Sequence, residues 1–416
     1  MFLALLAGVL APPGLEGQTP SPESRVEEAI DRRRARIRSQ VERPGLTDHW
    51  FGFGPALVER GVRFEAAATV FGQEGFSGHD RSEGALGGKL DGLLRLDLHK
   101  LGLWEGLSLT AHGEYNFGEA LNGYGGTVLP INVALQLPGA TAGQRYDTSS
   151  LFLTQRLGET FSLMVGKTNL ADVAALHPYA GGAGLTGFMN AGLAATPNGA
   201  LPPYVYGGLL LAKTEKAIFS LGLYGGNSAQ GEMGFKSAFD QGYLLSAGIS
   251  VPIQPGGLPG KQGLSLIWGD RDATSLGGLG NLIPPGSVKD VLQLDTRRWV
   301  LTYSFHQALG RWSDENHGWG IWGRANITDN ELTAIAWSAV GGIGGDSPFK
   351  GRQEDRWGLG LFYFAFADFL NDPKLVTLPL GDEYGVELFY NATLNDWLRL
   401  TGDLQLIQPA LPGQET

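Results

Sequence analysis

Lys89-Leu90-Asp91-Gly92-Leu93-Leu94-Arg95-Leu96-Asp97-Leu98-His99 is the stretch on which the fold turns. One parity carries Lys89, Asp91, Leu93, Arg95, Asp97 and His99, and the other carries Leu90, Gly92, Leu94, Leu96 and Leu98. Successive side chains on a strand point to opposite faces, so this segment reads as a strand with one wet face and one greasy face. The same alternation returns along the chain in segments of about ten residues, the length of a tilted membrane-crossing strand. A sheet built this way has one charged and one apolar surface. Closed into a barrel with the charge inside, it satisfies its backbone internally and spans an outer membrane.

Working outward, strands are expected near 62–74, 84–99, 107–118, 146–157, 160–168, 202–213, 217–226, 242–253, 262–270, 297–308, 318–327, 331–341, 354–365, 383–394 and 397–408. Connections after even-numbered strands are tight (100–106, 158–159, 214–216, 395–396), as in hairpins. Those after odd-numbered strands are long and rich in Gly and Pro (119–145, 169–201, 270–297, 366–382). Short turns on one side and long loops on the other are the habit of outer-membrane barrels. The connection at 328–330 breaks the rhythm, being short where a long one is due. In a closed up-and-down barrel an odd strand number would set the first and last strands parallel, so the complete protein is expected to carry sixteen, with the last missing from this chain. The expected fold is an all-β, antiparallel, up-and-down transmembrane β-barrel preceded by a short N-terminal helix.

Composition sets the outer limits. The 416 residues include 43% hydrophobic side chains, with no apolar run near the roughly 20 residues a spanning helix needs. A helical membrane protein is excluded. The 64 glycines, many inside strand-like segments, suit a large curved sheet. A formal net charge of -11 and a pI near 5.2 argue against nucleic acid as a partner. The absence of cysteine removes disulfides and thiolate metal sites. Residues 1–20 hold an apolar run, Phe2 to Ala11, of signal-peptide size but without a basic residue before it; the native reading frame is expected to extend upstream. Residues 21–44 read as a periplasmic helix, with Val26, Ile30, Ile37 and Val41 on one stripe and Arg32, Arg33, Arg34, Arg36 and Arg38 on the polar face. A solvated helix, a short coiled coil and a plug at the pore mouth all fit that pattern. The barrel takes 45–416.

Catalytic motifs are missing: no HExxH, P-loop or GxSxG, and no cysteine nucleophile. The seven histidines, His49, His79, His99, His112, His177, His306 and His317, fall singly and read as lumen or loop residues rather than ligands. Neither a cofactor nor a metal is called for, and the chain is not expected to be an enzyme. What recurs is charge and amide chemistry on one parity. Ser108, Thr110, His112, Glu114 and Asn116 alternate with apolar neighbours, as do Glu383, Glu387, Asn391 and Thr393, and Arg399, Thr401, Asp403 and Gln405. An Arg or Lys facing lipid near the midplane costs roughly 2–4 kcal/mol, which forces this parity inward. The residues expected to line the lumen are Lys89, Asp91, Arg95, Asp97, Glu114, Asn116, Trp322, Arg324, Asn326, Glu387, Arg399 and Asp403. Trp322 shares parity with Arg324 and Asn326, where its ring would offer a flat apolar face to a sugar. Most of the other Trp and Tyr residues are expected in girdles at the membrane interfaces.

Three blocks carry a family resemblance. Leu46-Thr47-Asp48-His49-Trp50-Phe51-Gly52, followed by Leu57, Glu59, Gly61 and Val62, resembles the opening signature of the carbohydrate-selective porin family. Gly351-Arg352-Gln353-Glu354-Asp355-Arg356-Trp357-Gly358-Leu359-Gly360 is similar to its later Gly-Arg strand start. Glu383-Tyr384-Gly385-Val386-Glu387-Leu388-Phe389-Tyr390, Trp397-Leu398 and Asp403-Leu404-Gln405-Leu406-Ile407-Gln408-Pro409 resemble its closing block. The resemblance runs from about 46 to 409 and implies a sixteen-stranded porin that admits glucose and other sugars by diffusion.

The leading expectation is therefore passive diffusion of mono- and small oligosaccharides through a water-filled lumen of mixed charge. A mixed-sign wall offers donors and acceptors to a neutral polyhydroxyl solute, whereas a one-sign ring selects ions. The expected partners are sugars as solutes and outer-membrane lipid, in a homotrimer or a monomer, in the bacterial outer membrane. The competing readings are a structural or adhesive envelope barrel with a plugged pore, a general diffusion porin without sugar selectivity, and a soluble all-β sugar-binding protein.

Overall fold

The computed structural model describes residues 51–76, 83–138, 145–195, 197, 201–271, 297–312, 317–329, 333–367, 370 and 380–411. The signal-like segment and the helix expected over 21–44 lie outside the described residues, as do most of the loops 270–297 and 366–382. A short helix α1 (Gly54–Glu59) leads into fifteen strands: β1 (Val62–Gly75), β2 (Glu83–Asp97), β3 (Leu107–Gly118), β4 (Tyr146–Leu157), β5 (Phe161–Asn169), β6 (Tyr204–Lys213), β7 (Ile218–Gly225), β8 (Gly242–Ile253), β9 (Gly260–Arg271), β10 (Arg297–Arg311), β11 (Gly318–Thr328), β12 (Ile335–Asp346), β13 (Arg356–Phe366), β14 (Glu383–Thr393) and β15 (Arg399–Gln408). Each pairs antiparallel with its sequence neighbours, giving one sheet in the order β1 to β15. None of the described helices is long and apolar enough to cross a membrane.

The two faces follow the alternation. On β15, Leu400, Leu404 and Leu406 are 63%, 55% and 64% exposed, while on β14 Glu383, Glu387 and Asn391 are fully buried. Apolar side chains thus stand on the convex face, where hydrocarbon wets them, and charged groups point inward. An aromatic girdle marks the long-loop end of the convex face. Trp337 and Tyr363 stack at 4.8 Å, Tyr363 and Tyr384 at 5.7 Å, and Tyr243 lies edge-on to Trp268 at 6.3 Å. Trp268 pairs across strands with Trp299. Rings with an apolar body and a polar tip settle at this depth.

The sheet is rolled. Val128 N–H donates to Glu383 on β14 (2.6 Å), and Lys89 on β2 donates to the Leu137 carbonyl (2.8 Å). Laid flat, β2 and β14 would stand ~58 Å apart at ~4.8 Å per strand, yet the chain from Val128 to Leu137 reaches at most ~33 Å. The curvature brings both ends of the sheet around a common interior. β1 and β15 remain the two edges of the strand order and are not paired with each other.

One strand, β12, departs furthest from its sequence expectation. β12 runs over Ile335–Asp346 rather than 331–341, because its last turns pass through Gly341, Gly342, Gly344 and Gly345, which carry no polar or apolar side chain to read. The connection before it, 329–334, stays short in the structure too.

Candidate functional site

Two long loops fold into the interior. The first follows β3 and contains α2 (Val133–Gln136); the second follows β5 and contains α3 (Leu170–Ala174) and α4 (Ala191–Ala194). Each helix is a single turn started by an asparagine whose side chain accepts a backbone N–H: Asn132 from Leu135, Asn169 from Ala171, Asn190 from Gly192. Such caps satisfy orphan donors that short helices cannot satisfy themselves. The loops bond to each other through Val133 N–H to the Met189 carbonyl (2.9 Å) and Ala191 N–H to the Pro130 carbonyl (2.8 Å).

Carboxylates of the wall hold this pair of loops. Glu383 accepts from the consecutive amides of Val128 (2.6 Å) and Leu129 (2.9 Å). Four residues along the same face of β14, Glu387 accepts from Met189 and from Asn190 (3.1 Å). Asn190 in turn donates to Gln405 on β15 (3.2 Å), and Gln405 donates to the Ile131 carbonyl (2.9 Å). On the far side Lys89 pairs with Glu114 and donates to the Leu137 carbonyl, while Asn116 donates to the Pro138 carbonyl at 2.7 Å.

Behind the loops the inner wall is dry. Phe188, Leu193 and Tyr179 of the second loop pack with Trp322, Val340, Phe362, Phe364 and Phe389 of β11 to β14. Phe188 meets Phe389 at 4.8 Å and Trp322 at 5.8 Å. The wall makes room with glycine: a Cβ at Gly360 would come within 2.7 Å of Leu193 and 2.9 Å of Phe188. His177 lies in this cluster, its Nδ1 accepting from the amides of Tyr179 (3.2 Å) and Ala180 (2.9 Å). Burial, with Arg324 and Arg356 nearby, pushes its pKa well below the usual histidine value, so the ring is neutral, as an accepting Nδ1 requires.

The open space lies on the other side of the loops, as a cavity of about 1740 Å³. Its polar lining mixes signs: Glu65, Glu74, Asp91, Asp172, Asp396 and Asp403 stand with Arg95, Arg356 and Arg399, and His112, Thr110, Thr401 and Gln405 add further polar groups. Arg95 reaches Glu65 at 3.4 Å. His112 lies between two carboxylates, with Nε2 3.2 Å from Asp91 and Nδ1 3.0 Å from Asp172.

Of the twelve residues expected to line the lumen, Asp91, Arg95, Arg399 and Asp403 line this cavity. Lys89, Glu114, Asn116 and Glu387 point inward but are buried beneath the loops they bind. Arg324 donates to the Ala195 carbonyl (3.2 Å), and Asn326 is sealed between Thr302 (2.7 Å) and Ser338 (2.9 Å). Asp97 instead accepts from the amides of His99 and Lys100 in the turn after β2. Trp322 is 1% exposed; Phe188 and His177 cover its ring, so the flat sugar platform expected there is corrected to a packed core. Parity tells which side chains point inward, not which a returning loop will cover. The set of twelve omitted Glu65, His112, Asp172, Arg356, Gln405 and Glu383. Parity carried a signal for the wall residues, whereas Asp172 lies in an irregular loop where no periodicity exists.

The carbohydrate-selective porin (OprB family) model matches residues 83–413. The chain belongs to this family. The porin is accordingly a bacterial outer-membrane protein whose solutes are sugars. Among solved structures it resembles Pseudomonas putida OprB at high pH, with a TM-score of 0.73 at 16% identity over 89% of this chain and 94% of that one. The low-pH structure of the same protein gives a TM-score of 0.53 at 14% identity over 88% and 95%. These likenesses establish the fold. No curated protein matches the chain.

Proposed function

We propose that the porin passes mono- and small oligosaccharides by downhill diffusion, with the two loops setting the bore and Asp91, Arg95, Arg399 and Asp403 among the side chains a solute meets. The supporting observation is the mixed-sign lining of the cavity. Alternating donors and acceptors exchange hydrogen bonds with hydroxyl groups while presenting no uniform charge to an ion. Binding stays weak, because a tightly held solute would not leave. No bond is made or broken in this reading, which makes the protein a conduit and not an enzyme. The proposed organisation is one barrel unit over 45–416 preceded by a periplasmic helix over 21–44. Native mass spectrometry in detergent separates a monomer from a homotrimer.

Liposome swelling tests the proposal. Monosaccharides are expected to enter faster than amino acids of similar size; equal rates would reduce the protein to a general diffusion pore, and zero conductance in planar bilayers would make it a plugged structural barrel.

A further inference from the structure

The wall between β2 and β3 carries an arrangement that sugar passage does not require. Asp91 and Glu114 are direct cross-strand partners, and like charges placed so are destabilising unless a cation lies between them. Lys89 pairs with Glu114. Asp91 is left with His112, through one oxygen only: its Oδ2 is buried with no hydrogen-bond partner among the described residues.

His112 is oriented from behind. Its Nδ1 lies 3.0 and 3.1 Å from the two oxygens of Asp172, and Asp172 is itself held by the Ser150 hydroxyl at 2.8 Å. A carboxylate fixing one ring nitrogen while the other faces further carboxylates is the arrangement that supports metal-binding histidines. The front of the ring has matching dimensions. Nε2 and Asp91 Oδ1 are 3.2 Å apart, close to the ~3.3 Å that separates two ligands of a tetrahedral ion with bonds of ~2.0–2.1 Å. Ligand atoms of Asp91, His112 and Glu114 all lie within 4.8 Å of one another, Glu114 facing the set while it also pairs with Lys89 and accepts from Asn169 at 3.1 Å.

We propose that Asp91, His112 and Glu114 form a binding site for a divalent cation of the zinc class in the lumen wall, with Asp172 as the positioning residue behind the histidine. Charge supports a divalent ion. Three carboxylates, Asp91, Glu114 and Asp172, stand around the ring with the ammonium of Lys89, an excess of negative charge that a divalent ion offsets. One imidazole with two carboxylates is a donor set that zinc accepts, the fourth position going to water. Asp91, His112 and Asp172 line the cavity, so the ion would enter from the lumen and alter the field that solutes cross.

The test uses the full-length porin in detergent and ZnCl2. Titration calorimetry is expected to give one zinc per chain, weakened at least 100-fold by His112→Gln and by Asp91→Asn, and about tenfold by Asp172→Asn. Zinc-edge X-ray absorption of the wild-type protein should show one imidazole among oxygen ligands, and this reading needs no variant to fold. Zinc that binds both variants with wild-type affinity, a wild-type spectrum without imidazole, or no binding below about 1 mM would overturn the site. Sugar flux plays no part in the test, so a loss of sugar selectivity leaves it standing.

Discussion

The inner faces of β1 to β3 and of β11 to β14 obey one alternation and reach opposite ends. Along β2 and β3 the inward positions are Lys89, Asp91, Arg95, His112 and Glu114, and part of that wall borders open space. Along β11 to β14 they include Trp322, Val340, Phe362, Phe364 and Phe389, sealed under Phe188 and Leu193 of the second loop. A period of two assigns each side chain to a face; the filling of that face depends on what lies across from it. The dry half serves as a foundation for the second loop. The wet half is the wall that borders the open cavity.

Three substitutions probe that division. Trp322→Ala should have the largest effect, destabilising by about 3–5 kcal/mol as a buried aromatic lost from a packed core, seen as a lowered unfolding temperature in detergent. Its effect on flux should follow from loosened loops, raising conductance rather than abolishing sugar entry. A stable variant that lost sugar selectivity alone would mean the ring is open to solute after all.

Glu387→Gln comes next. The carboxylate accepts from two consecutive amides, whereas a side-chain amide turns one oxygen into an unwanted donor. The expected cost is about 1–3 kcal/mol for the group left unpaired, with larger and noisier single-channel steps as the second loop frees its anchor. Unchanged steps would show that the contacts to β15 hold the loop without it.

Arg399→Ala should be mildest for the fold. Arg399 lines the cavity and donates to Asn391 at 3.1 Å, and its loss is expected to stay within about 0.5 kcal/mol, as for substitutions away from packed features. Its signature is electrical: the reversal potential in a KCl gradient should move toward cation preference, since one positive charge leaves a mixed wall. If stability fell as far as in Trp322→Ala, the wet and dry halves would not be distinct.

Much of the fold was legible because hydrocarbon on one side and water on the other impose a pattern on every strand. Val62, Leu107, Tyr146, Gly242, Arg297, Gly318 and Glu383 all begin strands where the alternation begins. The glycine run near Gly344 shows the limit of that reading. The loops were legible as long stretches rich in Gly and Pro, 119–145 or 169–201 being expected to fold inward, but the caps at Asn132, Asn169 and Asn190 act over two or three residues with no period to reveal them. His112 and Asp172 lie 60 residues apart, in a strand and an irregular loop, and nothing local couples them.

The sequence by itself therefore determined the succession of strands and the sign of each face, because these follow from chemistry repeated every second residue against two solvents. Tertiary structure alone decided which inward groups border open space. That choice depends on two loops crossing a rolled interior and on buried carboxylates, Glu383 and Glu387, finding amides 254 and 197 residues away, contacts whose energy exists only once the sheet has curved to bring them together.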